Sequence, residues 1–177
     1  MALAAVPFVP SDGVLVFTDA TGTPLSFTVP YEDGNLSFGT ITHNQKAVQE
    51  FMHRGRWYSA RETDDITPEF TFTCHLVGFT DASSATILDI VRRTGVWAAA
   101  LSTLPASAGG MNSGGTKGLW CVQLKWTGER TDFGGTADST VTAKYCRISA
   151  EIAEGIPAKL TITGQMFPHS TDYLAWT

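Results

Sequence analysis

The chain has 177 residues, of which 43% are hydrophobic and only 16% charged. That length fits one domain with or without extensions, and the sparse charge leaves surface suited to meeting other subunits. A formal net charge of −5 argues against a dedicated nucleic-acid binder, which carries a basic patch.

The N-terminal stretch MALAAVPFVPSDG is apolar but has no basic region ahead of it, and Pro7 and Pro10 interrupt it. It is too short and too broken for a membrane span, and an extended arm over about residues 1–12 is preferred to a poor signal peptide. Val14 to Asp19 reads as a strand, the turn Ala20-Thr21-Gly22-Thr23-Pro24 follows, and Leu25 to Val29 returns as a hairpin. Pro30 breaks the ladder, and Tyr31-Glu32-Asp33-Gly34-Asn35 is turn chemistry before a strand from Leu36 to Ile41. Between Thr42 and Arg61, Ala47, Val48, Phe51 and Met52 could share a helical face. A hairpin of Val48–Arg54 and Trp57–Arg61 about Gly55-Arg56 fits better.

Residues Glu62 to Gly95 hold the clearest pattern. An acidic turn, Glu62-Thr63-Asp64-Asp65, leads through Pro68 to a run in which Phe70, Phe72, Cys74 and Leu76 alternate with Thr71, Thr73 and His75. Only a strand carries side chains at a period of two. Asp81 then offers an N-cap, Ala85, Ile87, Leu88 and Val91 follow helical spacing, and Gly95 offers the stop, so a helix is predicted over about Asp81–Thr94. Val96 to Leu101 is a strand or an extra turn, and PASAGGMNSGGTKG (105–118) is a small-residue loop that orders on contact. Strands are predicted through Trp120–Trp126, Thr140–Ile152 and Leu160–Gly164, with Glu154-Gly155-Ile156-Pro157 as a turn. Seven to nine strands and one helix give a mainly β chain of two packed antiparallel sheets, a sandwich or barrel, with one flanking helix.

No catalytic constellation emerges. His43, His53, His75 and His169 are scattered, Cys74 and His75 point to opposite faces of a strand, and the glycines at 109, 110, 114 and 115 lack a phosphate-loop frame. Cys74, Cys121 and Cys146 form no CxxC pair and read as buried small hydrophobes in a reduced compartment. Asp64 and Asp65 could serve as an acid–base or Ca²⁺ pair, but no further acidic ligand follows, so a solvated turn is preferred. The five tryptophans suit core or subunit contact better than a sugar platform.

Taken together, YEDGNLSF, MHRGRWYSARETDD, ITPEFTFTCHLVGFTDASSATILDIVRR and AEGIPAKLTITGQ resemble the tail tube (major tail) proteins of tailed bacteriophages. The match rests on Arg61, Asp64, Asp65 and Pro68 ahead of a Phe-rich strand, the helix after it, and the Glu154-Gly155 turn; it covers about two-thirds of the chain. The resemblance implies a single tail-tube domain, similar in fold to the type VI secretion tube subunit, whose sheets join across six copies into a ring barrel. Rings then stack into the hollow tube of a tail, most simply a long non-contractile one, through which DNA is ejected. It further implies no enzymatic activity and no cofactor. The partners are further copies of the chain, tape-measure, tail-tip and tail-terminator proteins, and genomic DNA in transit without specific binding. The place is the virion tail, after assembly in host cytoplasm.

Six copies at −5 each carry about −30 per ring, which repels passing DNA. Glu32, Asp33, Glu62, Asp64 and Asp65 are the candidate lumen or ring-edge acids, and His43, Arg54, Arg56, Trp57, Met111 and Lys117 mark the candidate ring-stacking loops. The alternative is a secreted β-sandwich module for carbohydrate or another ligand; a small hydrolase on a β scaffold has the least support.

Overall fold

The computed structural model describes residues 13–30, 32–42, 45–79, 85–111, 118–129, 137–170 and 173–177. The expected N-terminal arm, His43, Asp81 and Lys117 lie outside the described residues. In chain order the strands are β1 (Gly13–Thr18), β2 (Ser26–Thr28), β3 (Ser37–Phe38), β4 (Lys46–His53), β5 (Arg56–Asp65) and β6 (Glu69–His75). The helix α1 (Ile87–Arg92) follows, then β7 (Val122–Gly128), β8 (Ser139–Ala153), β9 (Lys159–Met166) and β10 (Leu174–Trp176). The chain is mainly β, with two antiparallel sheets and one α-helix among the described residues. Eight strands form one sheet in the order β2-β1-β7-β8-β9-β6-β3, with β10 also on β8, and β4 and β5 form the second.

Layering comes from the large sheet folding back on itself. β1 and β6 are separated by three strands, which in a flat sheet would hold them about 19 Å apart. Instead Phe17 of β1 and Phe72 of β6 meet with ring centroids 6.2 Å apart. The segment after β2 spans the gap between the two borders: Val29 donates its N–H to Leu15 at 2.9 Å, while Glu32 bridges Cys74 and Ser37 pairs Thr71. The ladder itself does not close into a barrel, since β2 and β3 are the two ends of the strand order. The strand expected over Leu36–Ile41 shortens to Ser37–Phe38, and ahead of it Asn35 pairs through its side chain. Its Oδ1 accepts from the Thr73 N–H at 2.8 Å and its Nδ2 donates to the Thr73 hydroxyl at 2.7 Å.

β8 is the longest strand and changes neighbours at Cys146. Below it, Ala143 faces Leu124 of β7 and Leu174 of β10; above it, Ile148, Ala150 and Ile152 face Gly164, Ile162 and Leu160 of β9. Leu15, Phe17, Phe70, Phe72, Leu124, Cys146, Leu160 and Ile162 fill the space inside the curl.

The helix starts later than predicted. Thr86 is the N-cap, its hydroxyl accepting from the Asp89 N–H at 3.2 Å while the Asp89 carboxylate accepts from the Thr86 N–H at 3.1 Å, a reciprocal capping box. The helix ends at Arg93 rather than at a glycine, with φ at 53°. The Arg93 guanidinium donates to the Ala100 carbonyl from Nε at 3.0 Å and Nη2 at 2.8 Å, and it lies 5.6 Å from the Trp120 ring centroid. These bonds offset the cost of a left-handed non-glycine residue. Gly95–Trp97 forms a 3-10 turn where a strand was the other expectation, because Trp97 is drawn into the core against the edge of Trp120. The described ends of the 105–118 loop are tied together, Met111 donating to Leu119 at 3.1 Å and Leu119 to Gly109 at 2.8 Å.

Candidate assembly surface

The hairpin of β4 and β5 forms where the sequence reading places it, and the acidic stretch Glu62–Asp65 is part of it. Those residues were expected to turn; they continue β5 because Val48 pairs Glu62 and Lys46 pairs Asp65. The root is fastened by a Lys46–Asp65 ion pair at 2.5 Å, by the Ile66 N–H to the Gln45 carbonyl at 2.7 Å, and by the Thr63 hydroxyl to the Ala47 carbonyl at 3.2 Å. The Asp65 carboxylate holds the Lys46 ammonium above the ordinary lysine range. At the far end Arg54 and Gly55 take φ of 51° and 77°. Two successive left-handed residues match the right-handed twist of the flanking strands, as a two-residue hairpin turn requires.

Beyond its root this ribbon is bare. Every residue from 48 to 58 is exposed. On one face Val48, Met52 and Trp57 are each more than 60% exposed. On the other, Phe51 lies under the Arg61 guanidinium at 5.6 Å, and Tyr58, at the register shift, is 75% exposed. A two-stranded ribbon is marginal by itself in water, and exposed apolar residues in this number mark a contact surface.

The candidate acids fall in two places. Glu62, Asp64 and Asp65 are on β5, whereas Glu32 and Asp33 lie beside the end of β6. Asp33 accepts from Lys159 Nζ at 2.6 Å and from the Thr73 hydroxyl at 2.8 Å, and His75 Nε2 is 3.5 Å away. The Lys159 ammonium, with Thr73 next, holds the Asp33 carboxyl below its ordinary range. Burial pushes the Glu32 carboxyl up, opposed by the backbone N–H groups of Gly34 and Asn35. Sequence reasoning missed Lys159 and His75 here, since nothing local links residues so far apart.

Of the candidate stacking residues, Arg54, Arg56 and Trp57 come together at the hairpin tip. Met111 does not join them: it is half-buried beside Arg93, whose Nη1 lies 2.7 Å from its sulfur. Also missed was the region where β8 passes into β9, in which Ile152 at the end of β8 and Ile156 in the connection are exposed and Leu76 donates to Ala158 at 2.9 Å. The turn at Glu154–Pro157 was legible, but the isoleucines around it were not weighed as surface.

Burial pushes the Cys74 thiol up to about 11 and the Cys121 thiol to about 12, and Cys146 is raised further still. Trp120 donates its ring N–H to the Ile90 carbonyl at 2.7 Å and packs on the buried Trp97, so these two tryptophans serve the core. A groove of about 630 Å³ runs between the hairpin root and the C-terminal strand, lined by Gln45, Asp65, His169, Tyr173 and Trp176. No cluster of three potential metal ligands occurs among the described residues, and no helix there is long and apolar enough to cross a membrane.

By sequence, no protein-family model and no curated protein matches this chain. By structure, it is similar to the sheath/tube terminator of the PVC extracellular contractile injection system in its extended state. That match has a TM-score of 0.57 at 9% identity and covers 99% of each chain. A subunit of the sheath-tube complex of the same kind of system matches with a TM-score of 0.54 at 9% identity, over 98% of this chain and 93% of that one. The tube-terminating cap of the anti-feeding prophage matches with a TM-score of 0.51 at 10% identity, over 100% and 95% of the respective chains. At these identities the likeness is one of fold: the chain has the fold found in components of phage-tail-like particles.

Proposed function

We propose that this chain is a structural, self-associating tail component, namely the tube subunit whose hexameric rings stack into a hollow conduit for DNA. The observation that carries the reading is the β4–β5 ribbon, bare on both faces and rich in large apolar side chains. Such a ribbon is covered when copies assemble and has no use in a monomer. The likeness in fold to tube-end and sheath–tube components over nearly the whole chain supports the same reading. In it, residues 1–177 act as one tail-tube domain, with the arm at about 1–12 and the loop at 105–118 reserved for neighbours. Glu62, Asp64 and Asp65 on the ribbon, and Glu32 and Asp33 beside β6, supply lumen or ring-edge charge, while Arg54, Arg56 and Trp57 meet the adjoining ring. His43 and Lys117 complete the stacking loops, and Met111 joins them only by leaving its contact with Arg93. Its partners are the tape-measure, tail-tip and terminator proteins of a virion tail, most simply a long non-contractile one.

Purified protein, concentrated or seeded with tail-tip complex, is expected to form rings and then tubes in negative-stain micrographs. A chain that stays monomeric under all such conditions overturns the proposal. A second reading is favoured by the terminator and cap neighbours: a tube-end subunit that forms one ring and stops. Rings that never stack, yet bind the end of a preformed tube, would select it.

A further inference from the structure

Two exposed features complement each other. The first is the tip of the β4–β5 hairpin, where Arg54 and Arg56 stand beside Met52 and Trp57, each 62% exposed. Neither arginine has an ion-pair partner among the described residues. The second is the end of β8 with the bend that joins it to β9, where every residue from 151 to 157 is exposed. Ile152, near the end of β8, and the fully exposed Ile156 give it an apolar crest, Glu154 lies between them in the chain, and Glu151 projects from the opposite face of β8 to Ile152. The Leu76–Ala158 hydrogen bond sets Val77, 65% exposed, alongside. The cation next to the bend, Lys159, is held by Asp33 at 2.6 Å, so the bend presents negative charge.

We infer that the hairpin tip of one copy docks on the β8–β9 bend of a second, Arg54 and Arg56 facing Glu151 and Glu154, and Met52 and Trp57 covering Ile152 and Ile156. The inference rests on the tube-type reading above and names the two surfaces that meet. The eight residues of β4 carry the tip about 26 Å from the root, into the space of a neighbouring copy. The pairing is of opposite sign and joins apolar to apolar, as interfaces that choose one partner do. Because ribbon and bend are different surfaces, the contact is head-to-tail: each copy offers a ribbon and receives one, so it repeats around a closed ring or along a filament.

Reciprocal charge reversal tests this. The ribbon variant Arg54→Glu/Arg56→Glu and the bend variant Glu151→Arg/Glu154→Arg are each expected to raise the concentration needed for assembly at least tenfold, by sedimentation and negative-stain microscopy. A one-to-one mixture of the two, and the fourfold variant alone, are expected to regain assembly. All four positions are exposed, so the melting temperatures should match wild type; a variant that misfolds is replaced by its Gln counterpart. Wild-type-like assembly of both double variants, or loss in both with no recovery in the mixture or the fourfold variant, overturns the contact and leaves the tube reading standing. A wild-type chain that never assembles overturns both. Binding of DNA or anionic vesicles that vanishes in the ribbon variant, with assembly unchanged, assigns the tip to a different partner and also overturns the contact.

Discussion

Phe17 and Phe72 touch across the interior of a sheet in which three strands separate them, their rings 6.2 Å apart and both essentially unexposed. The pair stitches the two flanks of the curl together. Phe72→Ala should lower unfolding free energy by about 3–5 kcal/mol, and Phe17→Ala by a similar amount. Because the rings also contact each other, the double variant should lose about 0.5–1.5 kcal/mol less than the sum, as read from urea titrations.

The Phe70 ring occupies the space above Gly164, its partner in the β6–β9 register. A Cβ placed on Gly164 would fall 2.1 Å from that ring, which is buried and has nowhere to move. Gly164→Ala should therefore cost about 1–3 kcal/mol. In a Phe70→Ala background the same change should cost almost nothing, which a double-mutant cycle would reveal.

Asp33 gives the stability a pH signature. Lys159 lowers its carboxyl pKa in the folded chain, so the folded state binds this proton less readily than the unfolded one. The contribution is therefore present above the unfolded value and is lost as pH falls through the folded one. The melting temperature of Asp33→Asn should sit below wild type above the ordinary aspartate range, and the gap should narrow as pH falls below that range. Glu32 works in the opposite sense, its raised pKa adding stability only at low pH, so the comparison must be made within the Asp33 pair of proteins.

All three thiols should resist labelling in the native chain. At pH 8, pKa values of about 11 for Cys74 and about 12 for Cys121 leave a thiolate fraction of roughly one in a thousand or less. Reaction with a thiol reagent should be slow for the folded protein and should count three groups promptly after denaturation.

Much of the local structure was legible in the sequence. Phe70, Phe72 and Cys74 are buried on one face of β6 because each can reach only one side of a strand, and the alternation states that directly. The hairpin was readable for the same kind of local reason, although its corner falls on Arg54-Gly55, one residue before the Gly55-Arg56 expected. The helix start was not: the reading took Asp81 as the N-cap, whereas the capping box is made by Thr86 and Asp89. β10 gave no signal: Tyr173 and Leu174 are buried in succession, so Leu174–Trp176 shows no alternation. The curl depends on contacts between strands distant in sequence, such as Phe17 with Phe72, and no local pattern encodes them. In the candidate surface, residue type pointed to Arg54, Arg56 and Trp57, whereas Lys159 became visible as the partner of Asp33 only once β9 lay against β6.

β8 runs unbroken for fifteen residues, a rod of about 50 Å from its pairing with β10 to the outlying bend. Force applied at that bend travels along a single covalent backbone into the middle of the molecule, where β7, β9 and β10 grip it sideways and oppose the pull in shear. Pulling between the bend and the C-terminus should accordingly meet high mechanical resistance, with yield beginning near Cys146, where one set of neighbours gives way to another.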